Sequence, residues 1–215
     1  MAETPGRNMA MELVRVTEAA ALAAGRWMGR GWKEAGDQAA VEAMRLMLST
    51  VDMQGIVVIG EGRKDEAPML FDGEQVGNGL GPTVDVAVDP VDGTALLASG
   101  RPDAVSVIGV APQGAMWSPG PAFYMNKIVV GRSAREALTP DSFQQPVSRT
   151  LRTIADALGK LTTDVTVFVI DRPRHQHLIS EIRATGARVL LRTDGDVAGA
   201  LMAASPDSGI DVLMG

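Results

Sequence analysis

The sequence predicts an α/β protein, and two stretches predict it. Residues 83–99, TVDVAVDPVDGTALLAS, read as a strand, a carboxylate-bearing turn and a short helix. Residues 165–215 alternate strand-like runs with helix-like runs, the rhythm of a parallel sheet with crossover helices. A 46% hydrophobic content, drawn from Ala, Val, Leu and Met more than from aromatics (4%), supports a packed core. At 215 residues the chain is long enough for one large domain, or for one domain and part of another.

Taken in order, residues 8–29 place Met9, Leu13, Val16, Ala20 and Ala24 at helical spacing, and GRG at 29–31 ends that helix. The pattern returns from Asp37 to Leu48 through Ala40, Val41, Met44 and Met47. GIVVIGEG at 55–62 is a buried strand running into a glycine turn, and residues 63–82, rich in Gly, Pro and charge, form an irregular excursion. Val84–Val88 is the next strand, expected to stop at Asp89-Pro90 because proline offers no N–H to a ladder. Thr94 then opens a short helix, and AVSVIGVA (104–111) and KIVVG (127–131) are further strands. The polar, proline-bearing residues 132–147 are the best candidate linker, which divides the chain into 1–147 and 148–215. Beyond it come strand VTVFVI, helix HQHLISEIRAT, strand ARVLLR, helix DVAGALMAA and a last short strand, DVLMG.

Bulk composition excludes several functions. A net charge of −6 gives no general basic footprint for nucleic acid. The longest apolar runs, at 56–60 and 165–170, fall far below the ~20 residues of a membrane span. The polar start, MAETPGRN, lacks the order of a signal peptide. Zero cysteines exclude disulfides and thiol catalysis and suit a reducing cytoplasm.

Chemistry concentrates at the central turn. Asp89 and Asp92 lie three residues apart, so both carboxylates can face one space. Two bare carboxylates ~4 Å apart repel by roughly 4 kcal/mol at an effective dielectric of 20, which a cation between them would relieve. Hard oxygen ligands on a tight turn suit Mg²⁺ or Mn²⁺, and the helix start that follows can receive an anion. Turn formation and helix capping account for the two aspartates equally well on local grounds. Glu61, between two glycines at a strand end, is by itself an ordinary solvated loop acid, and Asp37, at the start of its helix, an ordinary N-cap. Thr94 could touch a phosphate or an attacking water, or simply pack at the first helical position. Arg172 and Arg174 flank Pro173 after a strand end, and arginine is suited to bidentate phosphate contacts; a solvated basic turn is the alternative. Tyr124 is either a hydroxyl donor or a half-buried strand aromatic. Asp194-Gly195-Asp196 could accept hydrogen bonds from sugar hydroxyls or bind a metal. His175 and His177, two apart, share no helix face and are read as non-ligands.

The DPVDGT turn resembles the signature of the metal-dependent, lithium-sensitive sugar and inositol phosphatases. Its neighbours narrow the resemblance to the bacterial class II fructose-1,6-bisphosphatases. They are ELVRVTEAAALAAGRWMGRG (12–31), VVIGEGRKDEAPML (57–70), FYMNK (123–127), DRPRH (171–175) and TDGDVAGA (193–200). The likeness runs from about residue 8 to the last residue and implies a layered αβαβα-type sugar phosphatase fold. It also implies Asp37, Glu61, Asp89 and Asp92 as metal-binding acids for Mn²⁺ or Mg²⁺, and Thr94, Asp65 and Lys33 as residues at the reaction centre. Asp92, Gly93, Thr94, Tyr124, Arg172, Pro173, Arg174, Asp194, Gly195 and Asp196 are implied to bind substrate. The implied reaction removes the 1-phosphate of fructose 1,6-bisphosphate in gluconeogenesis. The implied partner is a small phosphorylated sugar, with no nucleic acid and no membrane, and a homo-oligomer is compatible with the sequence. Trp32 departs from the pattern, standing where the family usually has Asp. The family also continues past the position of Gly215 into a Gly-Gly-x-Pro-Glu-Gly turn whose glutamate binds metal. Residues 148–215 are therefore expected to be the incomplete first part of a second α/β domain. The alternatives are an inactive truncated fragment, a binding or oligomerising piece, or a phosphatase acting on sedoheptulose bisphosphate or inositol phosphate.

Overall fold

The computed structural model describes residues 8–61, 70–118, 120, 122 and 124–215. It is an α/β protein of two compact units, Met1–Pro121 and Ala122–Gly215.

The first unit begins with α1 (Met9–Gly25), whose first turn is capped by the Asn8 side chain accepting from the backbone N–H of Ala10 and Met11. Its inner stripe is Leu13, Val16, Ala20 and Ala24, the residues the helical spacing selected. The helix stops before the expected GRG, because that stretch has another use. Gly29 N–H donates to Leu97 O and Gly31 N–H to Ala98 O, tying the chain to the helix beyond the central turn. The second helix, α2 (Lys33–Leu48), starts one turn earlier than expected, so Asp37 lies in its second turn and does not cap it.

Four strands follow: β1 (Gln54–Ile59), β2 (Gln75–Val76), β3 (Thr83–Asp92) and β4 (Val105–Pro112). They lie in the order β2-β1-β3-β4, with β1 and β3 parallel and both outer pairs antiparallel. The only described strand in the expected excursion is β2; residues 62–69 lie outside the described residues. Contrary to the sequence expectation, β3 does not end at Pro90 but continues to Asp92. Pairing with β1 ends at Ala87, and against β4 the register slips: Asp89 faces Val107 while Asp92 faces Val105. The strand passes the proline by a bulge, the device by which a ladder admits a residue it cannot bond. Gly93, in the left-handed region at φ 92°, then turns the chain into α3 (Thr94–Ala98). Val16, Ala20, Val41, Met44 and Leu48 of the two long helices share one core with Val57, Val86 and Val88 of the sheet. Each such fully buried aliphatic side chain contributes about 1.5–3 kcal/mol.

In the second unit the strands are β5 (Ile128–Val130), β6 (Thr166–Ile170), β7 (Arg188–Arg192) and β8 (Val212–Met214), in the order β5-β8-β6-β7. β6 is parallel to both neighbours, and β5 closes the edge antiparallel to β8. The helices are α4 (Val147–Leu158), α5 (Gln176–Ala184) and α6 (Asp196–Ala204). Val167 and Val169 of β6 pack in the core with Leu151, Ile154, Ile179 and Ile182 of α4 and α5. Phe168 and Ile170 point the other way, into a smaller core with Ala203 of α6.

Residues 132–147 are not a linker. They form two 3-10 helices, Arg132–Ala137 and Pro140–Phe143, with Ala134 and Ser142 buried. Since β5 pairs with β8, the boundary between the units falls at Pro121/Ala122 and not after residue 147. Among the described residues, no helix is long and apolar enough to cross a membrane.

Candidate functional site

The parallel pair β1 and β3 delivers acids at its carboxyl end. Glu61 follows β1, its N–H donating to Leu70 O at 3.0 Å and its carboxylate accepting from Leu70 N–H at 3.4 Å. Burial, then the nearby charge of Asp37 and, less, that of Asp89, push the Glu61 carboxyl up to about 7, against the hydrogen bond from Leu70 N–H and a smaller pull from Arg45. Asp37 is raised as well, by burial first and Glu34 second. Asp89 accepts from Val91 N–H at 3.0 Å, which stabilises the bulge and holds its carboxylate at the strand end. Asp92, 8% exposed, closes β3. Thr94 opens α3, half-buried.

Of the four expected metal ligands, Asp37 and Asp89 thus each lie within electrostatic reach of a third, Glu61. Their chemistry, hard carboxylate oxygens, with those of Glu61 and Asp37 raised in proton affinity by burial first and by neighbouring charge second, fits a divalent cation of the Mg²⁺ or Mn²⁺ class. Among the described residues, however, no three acids or histidines close into a group that could hold an ion. Asp65 lies outside the described residues.

Lys33 is the exposed first residue of α2. Before it, Trp32 occupies the capping position without a side-chain cap, stacks on Trp27 at 6.0 Å between ring centroids, and stays 65% exposed. An aspartate at that place would cap the N–H groups of α2; tryptophan gives up that bond for a ring contact.

The second unit carries the cations. Beyond β6 the chain runs out through α5 to β7, then returns through α6, on the opposite face, to β8 on the other side of β6. The carboxyl ends of β6 and β8 therefore form the switch point of this sheet, the place where open α/β sheets bind ligands. Arg172, Pro173 and Arg174 stand there, and Pro173 opens a 3-10 turn. The two guanidiniums take different partners. Arg172 donates to Thr193 O and to Asp194 Oδ1, whereas Arg174 lies 4.2 Å over the ring of Tyr124. Tyr124 and Arg174 line a cleft of about 620 Å³ with Lys127, Phe143, His175 and Gly215. Gly195, at φ 85°, turns the chain from β7 into α6, which begins at Asp196. His175 is bonded to Ile170 O at 2.7 Å and His177 pairs with Glu181 at 3.2 Å, so each has a local partner.

Sequence reasoning missed Lys127, whose ammonium lies 2.6 Å from Asp196. Its signal was position: it is the last residue of the FYMNK run, immediately before β5.

A family model described as bacterial fructose-1,6-bisphosphatase, glpX-encoded, matches residues 7–215. The chain is 47% identical over 209 residues to a Haemophilus influenzae protein named fructose-1,6-bisphosphatase class 2. It is 46% identical over 209 residues to an Escherichia coli K12 protein named fructose-1,6-bisphosphatase 1 class 2. Both alignments take in 97% of this chain, but 62% and 61% of the relatives, so the chain spans about three-fifths of their length.

Proposed function

The chain belongs to the family of bacterial, glpX-encoded fructose-1,6-bisphosphatases, and from that premise we propose that it carries the hydrolysis of the 1-phosphate of fructose 1,6-bisphosphate. Water supplies the oxygen that bonds to phosphorus, the bond from phosphorus to the sugar oxygen breaks, and fructose 6-phosphate and phosphate leave. The observation that carries the reading is that the charges of Asp37 and Asp89 both reach the half-buried Glu61 carboxyl at the carboxyl end of β1.

The family is one of metal-dependent phosphatases, and Mn²⁺ or Mg²⁺ is the metal proposed here. Asp37, Glu61, Asp89 and Asp92 would hold it, and it would supply the positive charge that neutralises phosphate oxygens and acidifies a bound water. The protein's own part is threefold. The carboxylates place the ion, and the hydroxyl of Thr94, with the backbone of Asp92 and Gly93, orients the phosphate. Asp65 and Lys33 tune the proton and the charge beside it. In the second unit Tyr124, Arg172, Pro173 and Arg174 receive the phosphate that is retained, and Asp194, Gly195 and Asp196 accept hydrogen bonds from the sugar. Cytoplasmic gluconeogenesis is the proposed setting.

Phosphate release from fructose 1,6-bisphosphate, sedoheptulose 1,7-bisphosphate and inositol 1-phosphate, each with Mn²⁺ or Mg²⁺, tests the assignment. Turnover of the fructose ester that chelation and Asp89→Asn both abolish is the expected result; preference for another ester overturns the substrate. A second reading, sugar-phosphate binding without turnover, is favoured by the open spacing of the described acids. Binding of fructose 1,6-bisphosphate with no release of phosphate under any metal would select it.

A further inference from the structure

We propose that Lys127 is a positioning residue for sugar recognition, holding the Asp196 carboxylate, and with it the Asp194-Gly195-Asp196 turn, in the orientation that meets the sugar hydroxyls. The inference rests on the reading that the second unit binds a phosphorylated sugar.

The turn between β7 and α6 is built on Gly195, which sits in the left-handed region at φ 85° and, as the N-cap residue, has no side chain. Two cations from distant segments hold the acids on either side of it. Arg172, just past β6, takes Asp194 at 3.2 Å, and Lys127, just before β5, takes Asp196 at 2.6 Å. The base of Lys127 is itself secured. Its backbone N–H donates to Gly215 O and its carbonyl accepts from Gly215 N–H, extending the β5–β8 ladder by one step. Lys127 thus spans from the end of β8, on the cleft that Arg174 and Tyr124 also line, to the first residue of α6. An ammonium has three donors, so one carboxylate leaves others to face a ligand.

The pair's exposure decides between a structural and a recognition role. With the two side chains 34% and 39% exposed, the ion pair adds little to stability, as exposed pairs do. What it adds is placement of a carboxylate.

Calorimetric titration of the 215-residue chain with fructose 6-phosphate, and with glycerol 3-phosphate as a phosphate lacking the ring, tests the role. Lys127→Met should weaken fructose 6-phosphate about tenfold, the scale of one charge-assisted hydrogen bond, and leave glycerol 3-phosphate within about twofold. Lys127→Arg should restore most of the loss, and adding Lys127→Met to Asp196→Asn should cost nothing further. Lys127→Gln, with a shorter amide donor, serves as the second variant should the methionine form lose its fold. Unchanged fructose 6-phosphate affinity, or equal weakening of both probes, would overturn the positioning role and leave the proposed function standing. Failure of the unaltered chain to bind either probe would overturn both.

Discussion

Asp89 serves the backbone and the site through different atoms. One carboxylate oxygen accepts Val91 N–H at the bulge, while its charge is one of those that raise Glu61. Asp89→Asn keeps an acceptor and removes the charge. It should therefore hold the melting temperature of the metal-free chain while abolishing the stabilising shift produced by Mn²⁺. Asp89→Ala loses the acceptor too and should cost about 1 kcal/mol in denaturant unfolding. Glu61 yields a pH prediction. Its ordinary value is 4.5 and its folded value about 7, so over that interval the folded chain retains a proton that the unfolded chain has lost. The resulting stability is fully present below 4.5 and is lost as pH rises through about 7. Melting of the metal-free chain from pH 4.5 to 8 should show this decline, and Glu61→Gln, fixed in the neutral form, should flatten it. A divalent ion needs the carboxylate, so its affinity should fall on acidification through the same range.

At the scale of elements, α6 rests on β6 with no room for a methyl group. A Cβ at Gly199 would come 2.4 Å from Phe168 Cε1. Gly199→Ala should destabilise the second unit by about 1–3 kcal/mol, and Phe168→Leu should recover part of it, measured by denaturant midpoints. On the other face, Ile154 of α4 is fully buried, and Ile154→Ala should cost about 2–5 kcal/mol. That helix was not read from the sequence, although Val147, Leu151, Ile154 and Leu158 keep helical spacing, because the prolines and polar residues before it suggested a linker. The elements read correctly were those with strong local periodicity, α1 and β6 through β8. Those misread turned on distant partners. Gly29 and Gly31 bond to α3, and β3 passes Pro90 because β4 continues beside it. The site followed the same rule. Acids beside glycines and prolines could be picked from the sequence, Asp196 among them, but its pairing with Lys127 joins segments far apart in the chain.

For the whole molecule, two units with separate cores mean two seats of stability. Calorimetry should resolve two unfolding transitions, with Ile154→Ala lowering one and Mn²⁺ raising the other. Fructose 6-phosphate should raise the transition that Ile154→Ala lowers. A single transition moved by all three would contradict the independence of the cores. The boundary was hidden because the pairing of β5 with β8, which assigns residues 122–147 to the second unit, joins segments far apart in sequence.

Pro90 has one more effect. Pairing with β1 gives out at Ala87, yet β3 runs on with Pro90, Val91 and Asp92 buried. A residue with no hydrogen to donate leaves no unpaired donor inside the protein at that point. Pro90→Ala would bury an amide hydrogen where the register slips, and should cost about 1–3 kcal/mol in denaturant unfolding.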